Sequence, residues 1–190
     1  MQAFFSMLAE SFDLPILDWI QSNLQCGFLD FIMPIITLFG DAGIFWIACS
    51  VILLLIPKYR KVGLSMGFAL LLGLLVCNVT LKPLCQRIRP YDYQLQYFQR
   101  EIVLLIEAQH DFSFPSGHTI ASFEACTALM IRNKKLGIPA TILAIMIAFS
   151  RMYLYVHYPT DVIASVILGI RFGFIGCWLV DKLAQKFPKL

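Results

Sequence analysis

The sequence predicts an all-α membrane protein, in which six transmembrane helices form one bundle and a short interfacial helix precedes them. Two observations on the 190 residues lead to this fold class. The chain is 59% hydrophobic and only 14% charged, and its apolar residues are gathered in long runs. A soluble domain is about 45–50% apolar and about 25% charged, because polar side chains must cover its surface. The composition excludes a disordered tail, a small secreted disulfide-rich domain and a nucleic-acid-binding protein.

The predicted helices are read from the apolar runs of the sequence. About 20 apolar residues are enough to cross a bilayer. The run 24–57 is too long for one helix, and Gly40-Asp41-Ala42-Gly43 divides it as a turn. Residues 62–81 carry no charge, and the later runs carry at most one within their apolar stretch. The six predicted spans are 24–39, 43–57, 62–81, 117–131, 136–154 and 160–181.

The first 22 residues differ from the predicted spans, because their apolar pattern is interrupted by Glu10, Asp13 and Asp18. This pattern predicts an interfacial helix over 1–22 that leads into the first span. We therefore expect residues 1–190 to form one membrane-embedded domain. Its parts are the interfacial helix 1–22, the six-helix bundle 24–181 and a cytoplasmic tail 182–190.

The distribution of Lys and Arg predicts which side of the membrane each loop faces. Nine of the 15 basic residues lie in the loop after the second span, the loop after the fourth span and the tail. Because basic loops stay in the cytoplasm, we expect a multi-pass protein of the cell membrane with both termini cytoplasmic. The 40–43 turn, the 82–116 loop and the 155–159 turn then face the outer side.

All three histidines and five further basic residues lie on this predicted outer side. Most of these residues fall into three short patterns. Each pattern taken singly has an ordinary explanation: interfacial anchors, a capped helix start or an i,i+4 pair at a helix entry. Their occurrence in order at one membrane face favours a common functional site. The three patterns are Lys82-x6-Arg89-Pro90, Phe114-Pro115-Ser116-Gly117-His118 and Ser150-Arg151-x5-His157-x3-Asp161.

Together these patterns resemble the signature of the type 2 phosphatidic acid phosphatase superfamily, whose membrane members are lipid phosphate phosphatases. Every signature position is present within residues 82–161. The resemblance implies hydrolysis of a terminal phosphate from a membrane lipid, with no cofactor and with the lipid and the bilayer as partners. Substrates of bacterial members include undecaprenyl pyrophosphate, phosphatidylglycerol phosphate, phosphatidic acid and lipid A phosphates, and all of these stay open at this stage.

The side chains themselves suit hydrolysis of a phosphomonoester. A neutral imidazole is nucleophilic near pH 7, so we expect His157 to attack phosphorus and Asp161 to fix its tautomer. We expect His118 to act first as general acid and then as general base. The resemblance implies the same roles. The expected phosphate ligands are Lys82, Arg89, Arg151, Ser116 and the backbone N–H of Gly117.

This scheme requires no metal, because three cations and a helix N-terminus supply the positive charge. A metal site at His110, Asp111 and His118 is a weaker alternative. His110 and Asp111 are instead expected to shape the substrate entrance in the 91–113 loop. Arg87, Arg100 and Tyr91 are expected at the same entrance.

Two charged residues lie inside the predicted spans, and we expect Glu124 and Arg171 to form a structural ion pair between the fourth and sixth helices. Two other classes of function remain open. An anion transporter or channel would need more polar residues through the depth of the spans. In a non-catalytic lipid-binding protein, His157 and Asp161 would have no chemical task.

Overall fold

The structure, a computed structural model, describes residues 2–186, and over this range it contains helices and loops and no β-strand. The all-α prediction is confirmed. Two π-helical stretches, Ala9–Asp13 and Leu74–Leu81, follow α1 and α5. The helices are α1 Gln2–Leu8, α2 Leu14–Leu24, α3 Gly27–Leu38, α4 Ile44–Leu55, α5 Arg60–Gly73, α6 Lys82–Cys85, α7 Pro90–Phe98, α8 Gly117–Arg132, α9 Lys134–Tyr153 and α10 Pro159–Lys186.

Within residues 2–186, four helical segments are long and apolar enough to cross a membrane. All six apolar runs of the sequence form helices, but α3 and α4 have 12 residues each and α8 has 16. The four segments are Gly27–Leu55, Pro57–Phe98, Lys134–Tyr153 and Pro159–Lys186.

The helix boundaries follow from local sequence signals. The predicted 40–43 turn includes a 3₁₀ turn at Asp41–Gly43, where Gly43 has a φ of 67°, a conformation that favours glycine. The side chain of Asn133 accepts hydrogen bonds from the next turn of backbone and caps α9 immediately after α8 ends. Helix α10 continues to Lys186, so residues 182–186 of the predicted tail are helical. Residues 187–190 lie outside the described part of the chain.

The N-terminal segment packs against the bundle along one side. Leu14, Leu17 and Ile20 are buried, whereas Phe12 and Trp19 are exposed. Asp13 is also fully buried, although it is charged. The segment therefore contributes both apolar and ionic contacts to the bundle.

Helix α8 lies at the centre, in contact with α5, α9 and α10. Glycines let these helices approach closely. A Cβ at Gly173 would lie 2.5 Å from Cβ of Thr127 on α8, and a Cβ at Gly176 would lie 2.5 Å from the backbone oxygen of Ser65 on α5. Small residues are typical of helix contacts in membranes, where close van der Waals packing stabilises the association.

This packing predicts that Gly176→Ala destabilises the protein, because the added methyl group meets backbone that cannot rotate away. We expect a loss of about 1–3 kcal/mol, measured by thermal unfolding in detergent micelles. Gly27→Ala is the matched control, because a Cβ at Gly27 meets nothing within 4 Å. Equal effects of the two substitutions would contradict the close contact between α5 and α10.

Candidate active site

The three sequence patterns meet at one end of the bundle, and each of them lies at the end of a helix. Lys82 follows the second π-helical stretch, and Gly117 with His118 opens α8. Arg151 lies in the last turn of α9, and Asp161 lies in the first turn of α10. His157 and Arg89 occupy the short connections that precede α10 and α7.

His157 is 1% exposed, and each of its two ring nitrogens faces a different environment. Nδ1 lies 3.5 Å from Oδ2 of Asp161 and 3.5 Å from Oγ of Ser113. Nε2 lies 3.3 Å from Nη1 of Arg89, and His157 lines a cavity within the bundle. Burial and the charges of Arg89 and Arg151 hold the pKa of His157 well below its usual value. The imidazole is therefore neutral near pH 7, with Nδ1 on the carboxylate side.

Asp161 is held by a dense set of donors. It accepts hydrogen bonds from Arg87 and from the Ser113 hydroxyl, and the backbone N–H of Tyr158 donates to it over 3.1 Å. These donors fix the carboxylate beside His157.

Arg87 connects this carboxylate to the N-terminal segment. Its Nη2 lies 2.6 Å from Oδ2 of Asp13, and its Nη1 forms an ion pair with Asp161. The guanidinium also lies over the ring of Tyr158, 3.8 Å from the ring centre. Asp13 in turn accepts a hydrogen bond of 2.9 Å from the backbone N–H of Thr160. The expectation of Arg87 at a substrate entrance is thus corrected, because its side chain is 3% exposed and bridges two buried carboxylates.

Lys82 and Arg89 both bind the carboxylate of Asp111. Burial raises the pKa of Asp111, but these two cations outweigh burial and hold the pKa well below its usual value. Arg89 also donates to the backbone oxygen of Val156 over 2.7 Å, which fixes its guanidinium beside His157. The two cations therefore share one carboxylate partner beside His157.

Arg151 is 1% exposed, and only part of its guanidinium has partners. Nη1 donates to Oγ1 of Thr37 over 2.6 Å, whereas Nε and Nη2 are buried without a hydrogen-bond partner. Buried guanidinium nitrogens without acceptors are costly, so a bound anion would compensate for this cost.

At the start of α8, the polar groups of Ser116 form hydrogen bonds within the fold, whereas the next two residues line the cavity. The Ser116 hydroxyl accepts from Thr119 and acts as the helix cap, while the backbone N–H of Ser116 donates to Ser165 over 2.9 Å. Gly117 and His118 line the cavity. The hydroxyl of Ser116, predicted as a phosphate ligand, is thus used in capping.

His118 has a carboxylate partner that the sequence analysis missed. Its Nε2 lies 2.6 Å from Oδ1 of Asp41, in the turn between α3 and α4. Gly40 lies against the same imidazole, because a Cβ there would be 2.7 Å from Cδ2 of His118. This turn was predicted only as a connection. The acidic residue Asp41 lies on the same predicted outer side as the histidine pattern, and this placement could have indicated the contact.

Two further contributors were also missed, Asp13 and Ser113. Asp13 is one of three acidic residues in the apolar N-terminal stretch, and the sequence does not say which of them is buried or what it pairs with. Ser113 precedes the second pattern by one residue and carries no signal of its own.

A cavity of about 940 Å³ extends from this cluster between α4, α5 and α8. Lys82, Arg89, His118 and His157 line its polar end. Away from that end the lining becomes largely apolar. These residues include Ile47, Val51, Leu64, Phe68, Leu71 and Leu74.

The ion pair expected between Glu124 and Arg171 is wrong for this structure. Arg171 is exposed, whereas Glu124 is 1% exposed and has no ion-pair partner among residues 2–186. The two residues lie on neighbouring helices, but their side chains point in different directions. Glu124 instead lies against Gly73 of α5.

The fold and the cluster define an all-helical membrane protein with a neutral buried histidine between a carboxylate and several cations. The family model of the PAP2 superfamily matches residues 62–185, and the chain belongs to that superfamily. The predicted family is confirmed, and the chain is an integral membrane protein.

Relatives and solved structures agree with this assignment. An undecaprenyl-diphosphatase from Sulfolobus acidocaldarius is 30% identical over 152 residues, which cover 80% of this chain and 70% of the relative. A PAP2 type phosphatidylglycerolphosphate phosphatase from Bacillus subtilis has a crystal structure with a TM-score of 0.67 and 27% identity, over 97% of this chain and 94% of that chain. LpxE of Aquifex aeolicus has a similar fold, with a TM-score of 0.74 and 23% identity over 87% of this chain and 94% of its own.

The buried ionic bridge predicts that Arg87→Met destabilises the protein strongly, because it leaves Asp13 and Asp161 buried without their shared cation. We expect a loss of about 3–5 kcal/mol in thermal unfolding. Arg100→Met is the matched control, because Arg100 pairs with Asp18 at the surface, where such a pair contributes about 0–1 kcal/mol. A small effect of Arg87→Met would show that the bridge does not hold the N-terminal segment.

Proposed function

We propose that this protein is a lipid phosphatase that hydrolyses the terminal phosphate of a membrane lipid phosphate or diphosphate, without a metal and through a phosphohistidine. One observation carries the proposal: the cluster of His157, His118 and cations lies at the polar end of a cavity whose far end is largely apolar. A phosphate ester of a lipid has the same division into an anionic end and an apolar chain.

In the first step, Nε2 of His157 attacks phosphorus. A P–N bond forms, the bond from phosphorus to the leaving oxygen breaks, and His118 in its protonated form gives that oxygen a proton and becomes neutral. For a monophosphate the leaving group is the lipid alcohol, and for a diphosphate it is the lipid monophosphate. Asp161 stabilises the charge that develops on the imidazole of His157.

In the second step, water attacks phosphorus and gives a proton to His118, the P–N bond breaks, and inorganic phosphate leaves. Asp41 orients the His118 ring through both steps. Positive charge on the phosphoryl oxygens lowers both barriers, because it stabilises the charge of the transition state. We assign this charge to Lys82, Arg89, Arg151 and the backbone N–H of Gly117.

The relatives support a lipid phosphate as the substrate. The Sulfolobus relative is named for undecaprenyl diphosphate, and the Bacillus structure is named for phosphatidylglycerolphosphate. We propose a substrate from this group, which also includes phosphatidic acid. The protein is embedded in the bilayer, as each of these lipids is, so enzyme and substrate share the same membrane.

We further propose that α4, α5, α8, α9 and α10 of the single domain cross the membrane. The first apolar run stays at the end that holds the site, because Asp30 and Thr37 of α3 both contact the last turn of α9. The tail then faces the cytoplasm, and the site faces the outer side. Segment 1–22, expected at the cytoplasmic face, lies at the end of the bundle that holds the site, because its Asp13 pairs with Arg87. The basic residues after α4 and α8, at the end of the bundle away from the site, support this orientation.

The proposed chemistry predicts phosphate release from short-chain phosphatidic acid or farnesyl diphosphate by the full-length protein in detergent with EDTA. His157→Ala removes the nucleophile, so we expect kcat to fall by on the order of 10³-fold or more. His110→Ala is the control, because His110 is an exposed histidine of the neighbouring loop, and it should retain near-normal kcat. Release that requires a divalent metal, or that survives in His157→Ala, would contradict the mechanism.

The proposed orientation predicts which introduced cysteines react with a labelling reagent in intact cells. In a Cys26→Ser background, Val103→Cys should react with a membrane-impermeant maleimide, because Val103 is 86% exposed on the outer loop. Lys135→Cys, between α8 and α9, should react only after the cells are opened. The reverse pattern would place the site in the cytoplasm.

A further inference from the structure

Glu124 is a carboxyl that the proposed chemistry does not use. It lines the cavity below the phosphate cluster and is 1% exposed. Its Oε2 is buried without a hydrogen-bond partner, and the residue forms no ion pair with any residue of the described chain. A buried polar atom of this kind costs stability unless something pairs with it. The wall of the cavity therefore carries an unused polar group.

The space for this carboxyl comes from a glycine on the facing helix. A Cβ at Gly73 would lie 2.3 Å from Oε2 and 2.6 Å from Oε1 of Glu124, so only glycine leaves room there. Gly73 is the last residue of α5 before the π-helical stretch and also lines the cavity. The two helices thus form a slot in which the carboxyl lies at the cavity wall.

The depth of Glu124 relates it to the phosphate cluster. It follows Gly117 by seven residues, two turns of α8, so the two residues share one face of the helix. Consistent with this register, Gly117 lies opposite Asn78 and Glu124 lies opposite Gly73. Seven residues correspond to about 10 Å along the axis, and the side chain leans back toward the helix N-terminus. The carboxyl therefore lies roughly 6–9 Å below the phosphate position.

This distance matches the linkage region of a glycerolipid. In a diacylglycerol phosphate, about six covalent bonds separate phosphorus from an ester carbonyl oxygen, a span of roughly 7 Å. A carboxylic acid without a cationic partner is stable in its neutral form, which donates one hydrogen bond, and an ester carbonyl accepts one. A prenyl chain offers only hydrocarbon at the same depth.

We infer that Glu124 binds the ester linkage of the lipid and gives the site a preference for diacylglycerol phosphates over prenyl phosphates and diphosphates. This inference rests on the proposed function, since it assigns the substrate of the same site. A site matched to a hydrogen-bonding group discriminates against analogues that lack the group, because its own polar group is then left unpaired.

The test compares dioctanoyl phosphatidic acid with its dioctyl ether analogue, which differs only in lacking the two carbonyl oxygens. We expect the wild type to have roughly tenfold higher kcat/KM for the diacyl lipid, and Glu124→Met to bring the ratio near one. Glu124→Gln keeps a donor of similar size and should retain most of the preference. Ile47→Val, an apolar change in the same cavity, is the control and should keep the ratio of the wild type.

Three outcomes are distinct. A diacyl preference that disappears in Glu124→Met and persists in Glu124→Gln supports the inference. A wild type that hydrolyses both lipids equally, or a preference that survives in Glu124→Met, overturns it and leaves the phosphatase activity intact. Absence of His157-dependent release from diacyl, ether and prenyl substrates alike would overturn the proposed function itself.

Discussion

The guanidinium of Arg87 is the contact on which the geometry of the site depends. It pairs with Asp13 of the N-terminal segment and with Asp161 of α10, and all three side chains are almost fully buried. Each carboxylate alone would be costly at this depth, so the arrangement is stable only when all three groups are present. Because Asp161 in turn faces His157, the N-terminal segment helps to position this histidine, although more than 140 residues separate Asp13 from His157 along the chain.

The second organising feature is an excess of positive charge beside a neutral imidazole. Burial and the neighbouring arginines lower the pKa of His157, so its free electron pair stays available at neutral pH. The same cations attract anions, as the contact of Lys82 and Arg89 with Asp111 demonstrates. One set of charges therefore both keeps His157 neutral and forms the phosphate-binding site that we propose.

Much of the site could be predicted from the sequence, because its main residues lie in three compact patterns at helix ends. The number of predicted spans between His118 and His157 was enough to place both residues on the same side of the membrane. The partners of these residues could not be predicted in this way. Asp41 and Asp13 are far away along the chain, and Glu124 faces Gly73 rather than Arg171 because the rotation of α8 about its axis is set by packing against its neighbours.

The sequence by itself determined the all-helical membrane class, the family and the residues of the three patterns, because composition and spacing are properties of the chain alone. Only the tertiary structure decided which carboxylate meets which cation or histidine, and that the cavity continues from the cluster to Glu124. The physical reason is that a buried charge requires a partner within a few ångströms. That distance depends on how close glycines allow the helices to come and on which face each helix presents.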